Sequence, residues 1–170
     1  IESVSQTSEE DASDDLYGFS HLKELSAIIA NIRRHNKKIF QERLVFFFLK
    51  VDSPMIIKKE SWVLINFLNL LLLKLSDFIY DCNVNISFGE SSVNSEVLFS
   101  LPLKNITKQS ELMISLNQKI DLFSAKIIHS FSSRASSNDT LEISVVFNPD
   151  ILMPINFYDY RKSYYLRNNK

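Results

Sequence analysis

Glycine is nearly missing. The chain has two, Gly18 and Gly89, in 170 residues, about 1% where soluble proteins carry about 7%. Loops that cradle phosphates need the close backbone approach and positive φ angles that glycine supplies, so neither a Walker loop nor a dinucleotide-binding loop can be built here. A G-x-S-x-G nucleophile elbow is impossible for the same reason. Cysteine is reduced to Cys82, which excludes an internal disulfide and a cysteine-based zinc site. That usage suits a reducing compartment inside the cell, cytoplasm or nucleus. His35, among arginines and lysines, and His129, near a helix end, have no carboxylate or cysteine at metal-ligand spacing, so no metal and no other cofactor is expected. No charged-then-apolar leader opens the sequence, and since Ile1 is not a start residue a fragment or processed form is expected.

What the chain has in quantity is apolar mass. Hydrophobic residues make up 45% of it, thirteen of them phenylalanine, enough for the core of one domain of ordinary size. Residues 60–82, ESWVLINFLNLLLLKLSDFIYDC, are apolar on almost every side, and such a helix is buried on several faces. A membrane span needs about 20 mostly apolar residues, whereas Asn66 and Asn69 interrupt this run and Lys58, Lys59, Glu60, Lys74 and Asp77 flank it. It is expected to be the central core helix, with no membrane contact.

Around it the elements follow from periodicity. Leu16, Phe19, Leu22, Leu25, Ile28, Ile29 and Ile32 recur every three or four residues, the spacing of an amphipathic helix over 19–39. Arg33, Arg34, His35, Lys37 and Lys38 crowd its end, where the helix dipole favours cations. Residues 43–51, RLVFFFLKV, read as a strand buried on both faces, closed by Pro54. Residues 83–88 and 96–101 alternate as strands of a hairpin. Thr107 or Ser110 can cap a long helix whose stripe is Leu112, Leu116, Ile120, Phe123, Ile127 and Phe131. A polar loop, 132–139, then leads to a strand over 140–147. The order α-β-α-β-β-α-β predicts an α/β or α+β domain, with three main helices packed on one face of a mixed sheet.

Three parts are therefore expected: an acidic, disordered tail or linker over 1–15, one globular domain over 16–150, and a basic, tyrosine-rich extension over 151–170. The net charge of −1 conceals an asymmetry, because Glu2, Glu9, Glu10, Asp11, Asp14 and Asp15 stand in the first fifteen residues without a single base. Ser8, followed by Glu9, Glu10 and Asp11, has the surroundings of an acidophilic kinase site. In the extension, Tyr158, Tyr160, Arg161, Lys162, Tyr164, Tyr165 and Arg167 interleave bases with rings. Tyrosine and arginine are favoured interface anchors, so a protein partner is expected; the same residues can also grip phosphates and stack nucleobases.

Residues 43–78 resemble the opening of the ATP-binding domain of sensor histidine kinases, the Bergerat or GHKL fold. In that family a helix leads to a strand, a proline-containing turn, and a helix beginning with an apolar stretch and L-N-L-L-x-N-A. The counterpart here is VDSPMIIKKESWVLINFLNLLLLKLSDF, and the later elements follow in the family's order. Asn69 stands at the first, structural asparagine of the pattern. Leu73 stands where the resemblance implies the magnesium-holding asparagine. The family's D-x-G-x-G adenine box is replaced by LPLKNITKQ, and no glycine-rich lid follows. The resemblance thus implies a domain that has lost ATP. His21, in GFSHLKELSA, is faintly similar to the family's phosphoacceptor box, but Leu22 replaces its acidic residue and no proline follows.

No catalytic constellation emerges. Cys82 reads as a semi-buried structural thiol, and Asp77 and Asp81, four apart, as the solvated edge of a helix. The expected function is that of a non-catalytic interaction domain, an adaptor, subunit or pseudokinase-like regulatory module in signalling. The alternatives are a phosphotransfer protein using His21 and a nucleic-acid-binding subunit using the extension.

Overall fold

Alternation of apolar and polar residues over 82–102 and 140–147 puts one row of side chains inside and the next outside. The inner rows are Cys82, Val84, Ile86 and Phe88, then Val97, Phe99 and Leu101, then Leu141, Ile143, Val145 and Phe147, all buried. They share one core with the helices, so the helices cover that face of the sheet, and no helix among the described residues covers the other. The computed structural model describes residues 23–52, 54–88 and 95–154. The acidic tail, Ser8, His21 and all seven named residues from Tyr158 to Arg167 lie outside these.

In chain order the elements are β1 (Lys23–Glu24), α1 (Leu25–His35), α2 (Lys37–Arg43), β2 (Val45–Val51), β3 (Met55–Ile57), α3 (Ser61–Phe78), β4 (Cys82–Phe88), β5 (Glu96–Pro102), a 3-10 turn (Leu103–Asn105), α4 (Gln109–Phe123), β6 (Ile128–Ala135), β7 (Thr140–Phe147) and β8 (Leu152–Pro154). A five-stranded sheet runs β2-β4-β5-β7-β6 and a three-stranded one β1-β3-β8. β2 is parallel to β4, and the other pairs are antiparallel. This is the mixed α/β domain that the element order predicts. α3 is its central helix, flanked by α1 and α4. It is the one helix among the described residues long and apolar enough to cross a membrane, yet Leu64, Phe67, Leu68 and Leu71 are fully buried in the core.

Four expectations are corrected. The strand over 43–51 is not buried on both faces: Val45 and Phe47 are inside, whereas Phe46 and Phe48 are each 51% exposed, because the helices among the described residues pack on one side of the sheet. The first helix is broken at Asn36, so there are four helices among the described residues. The long helix expected after Thr107 or Ser110 ends at Phe123, and residues 128–135 are strand β6, although Ile127 and Phe131 continue the helical spacing. Residues 152–154, placed in the extension from sequence, form β8, with Leu152 fully buried.

Scarcity of glycine leaves its mark on the backbone. Leu44, Glu60, Asp81 and Asp139 take left-handed φ values of 56°, 57°, 49° and 56°, a region that costs a non-glycine residue about 1–2 kcal/mol. Each sits at the boundary of a helix or strand, where the chain must turn.

Candidate functional site

The outer half of α3 and what lies against it form the first region of interest. Asn69 is half-buried, and its Oδ1 accepts a hydrogen bond of 2.8 Å from Nδ2 of Asn36. Asn36 is only 7% exposed, and the same amide donates to the Ile32 carbonyl at 3.0 Å. Asn69 therefore ties the break between α1 and α2 to the central helix. One turn further on, Leu73 is partly buried and packed against the apolar core; its carbonyl accepts from Ser76 Oγ at 2.7 Å.

β5 is joined to α4 by residues 103–108 alone, and that connection is fixed to the end of α3. Thr107 donates twice to the Phe78 carbonyl, from its N–H at 2.8 Å and its hydroxyl at 3.1 Å. Asn105 Nδ2 donates to the carbonyls of Tyr80 and Asp81 at 3.1 and 3.0 Å. Ile106 bridges Ile79 in antiparallel fashion. Deeper in, α3 and α4 meet directly, with Phe67 edge-on to Phe123 at 5.4 Å and to Phe147 at 5.9 Å.

No family model matches this chain, and no curated protein matches it. Solved structures do. The Acinetobacter baumannii histidine kinase AdeS superimposes with a TM-score of 0.55 at 11% identity, over 75% of this chain and 66% of that one. The catalytic domain of histidine kinase ThkA, in a nucleotide-free form, gives 0.52 at 9% identity, over 78% and 96%.

The fold is that of the histidine-kinase ATP-binding domain.

Full-length ShkA in complex with AMPPNP shares it, with a TM-score of 0.52 and 12% identity, over 74% of this chain and 30% of that one. This chain therefore spans just under two thirds of AdeS and under a third of ShkA. Asn69 and Leu73 both lie on α3, and of the LPLKNITKQ segment residues 103–108 are the connection fixed to the end of that helix.

A second region lies at the edge of β2 away from β4. The basic end of α1 and the start of α2 bring Arg33, Arg34 and Lys37 alongside Phe46 and Phe48, around a concavity of about 460 Å³. Arg33 Nη1 donates to the Phe47 carbonyl at 2.6 Å, and Phe40 packs edge-on against Phe47 at 4.9 Å. The basic cluster and the RLVFFFLKV run are each visible in the sequence; that they form one groove depends on the break at Asn36, which no periodicity announces.

The remaining candidates are quiet. Cys82 is 8% exposed, and burial, with the nearby Asp81 charge adding, pushes its thiol above the ordinary value. A thiol so placed is a poor nucleophile. His35 and His129 are exposed. Asp77 pairs with Lys74 at 3.6 Å on the surface. Among the described residues no cluster of three His, Cys, Asp or Glu could hold a metal ion.

Proposed function

We propose that this chain is a non-catalytic interaction domain, an adaptor or regulatory subunit in signalling inside the cell that has kept the histidine-kinase ATP-binding fold and does not bind nucleotide. The observation that carries this reading is the connection at 103–108, held to the end of α3 through Asn105 and Thr107. Where the family has an adenine box and a lid, this chain runs directly from β5 into α4. Leu73 supports the same reading, since an apolar side chain cannot ligate magnesium. The residues present do not fit a magnesium nucleotide, and no catalytic step is derived through one. Tyr158, Tyr160, Arg161, Lys162, Tyr164, Tyr165 and Arg167 are proposed as an additional contact with a protein partner.

The test is calorimetric titration of the full chain with ATP and magnesium, paired with thermal unfolding. A ligand at 100 times its Kd stabilises a fold by about 2.7 kcal/mol. The expected results are no binding heat and no shift of Tm at millimolar nucleotide; saturable binding in the micromolar range would overturn the proposal.

A further inference from the structure

β2 is an edge strand: it pairs with β4 on one side and, among the described residues, with no strand on the other. The Leu44 carbonyl accepts from the Cys82 N–H, and the Asp52 N–H donates to the Phe88 carbonyl, both at 3.1 Å. Even-numbered residues of this stretch thus turn their backbone groups to β4, and Val45, Phe47, Leu49 and Val51 turn theirs to the free edge. Arg33 already takes the Phe47 carbonyl from the side of the helices. An exposed edge with unpaired backbone groups is a template for one more strand.

The two walls of the groove differ in chemistry. On the helix side every charged lining residue is a cation: Arg33, Arg34 and Lys37. On the open side the rings of Phe46 and Phe48 are half exposed. Successive side chains of an added strand point to opposite faces, so the same strand would offer one wall every odd residue and the other every even residue. We propose that this groove binds an extended peptide of a partner protein that alternates carboxylates with large apolar residues, adding to β2 as a further strand. The carboxylates meet Arg33, Arg34 and Lys37, and the apolar side chains cover Phe46 and Phe48. This names the partner chemistry of the interaction reading above and rests on it. Nucleotide titration tests that reading and peptide binding tests this one, so either can fail without the other.

The probe is an acetylated, amidated peptide as long as β2, 7 residues, alternating glutamate with phenylalanine and valine, titrated into the full chain. Saturable binding is expected. Arg34→Glu with Lys37→Glu should weaken it by about tenfold or more, since like charges brought together across an interface are strongly unfavourable, and a lysine-for-glutamate peptide should recover binding to that variant. A peptide with proline at its centre should bind at least about tenfold more weakly, because proline removes a ladder donor. The variants lie at the surface, and unchanged Tm values would show that they fold. Failure of the glutamate peptide to bind at millimolar concentration, or equal binding by charge-reversed protein or proline peptide, would overturn the proposal. So would two other outcomes. One is a dimer lost in Phe46→Ser with Phe48→Ser and unaffected by the peptide, which makes a second copy the occupant. The other is binding that appears only when the acidic residues of 1–15 are changed to amides, which makes the chain's own segment the occupant.

Discussion

The amide of Asn36 shows what a single side chain does in this fold. It is buried, and its two donated bonds join the end of α1 to Asn69 on α3. Removing one partner of a buried pair leaves the other unsatisfied, which costs about 1–3 kcal/mol. Asn69→Leu should therefore lower stability by about 2 kcal/mol in urea unfolding, although leucine adds apolar bulk to a helix already rich in it. A neutral or stabilising result would remove Asn69 from this structural role. Its position was legible in the sequence only through the resemblance to the histidine-kinase L-N-L-L-x-N-A pattern, which implies a structural asparagine there. Its partner was not, because Asn36 is 33 residues away and looks like any polar residue in a helix.

Elements tell the same story in larger units. Two strands of the hairpin and β7 were legible almost to the residue, since each buries every second side chain. β6 was hidden: of its residues only Ile128 is buried, as befits the outer strand of a sheet, and its serines read as a loop. Ile127 and Phe131 prolonged the helical spacing by coincidence. The exposure of Phe46 and Phe48 was equally hidden, because a run of three phenylalanines does not say whether a sheet has helices on one face or both. The connection from β5 to α4 was legible as an absence of glycine; the way it is held was not, since its bonds reach carbonyls of another element. Asn105→Ala deletes two of those bonds and should increase exchange of the Thr107 amide, donor to Phe78, by about tenfold, the equivalent of about 1.4 kcal/mol. Unchanged exchange would mean that Thr107 and Ile106 fix the connection unaided.

At the scale of the molecule, one face of the five-stranded sheet is roofed by helices, and no helix among the described residues covers the other, where Phe46 and Phe48 on β2 are the most exposed rings. Scattered apolar side chains are normal on a surface, but adjacent rings on an edge strand favour association. Phe46→Ser with Phe48→Ser should keep Tm within a few degrees, as both side chains are already half in water, and should reduce self-association or precipitation at high concentration, read by light scattering. A large fall in Tm would place these rings in the core. The small sheet has a mechanical consequence. β1 and β8 both run antiparallel to β3, with Lys23 opposite Ile57 and Pro154 opposite Met55, so the chain enters at one end of β3 and leaves at the other. Tension between the two flanking segments pulls β1 and β8 in opposite senses along their shared neighbour, loading their hydrogen bonds together in shear rather than unzipping them one at a time. The smallest sheet in the fold is the clasp that such a pull would meet first.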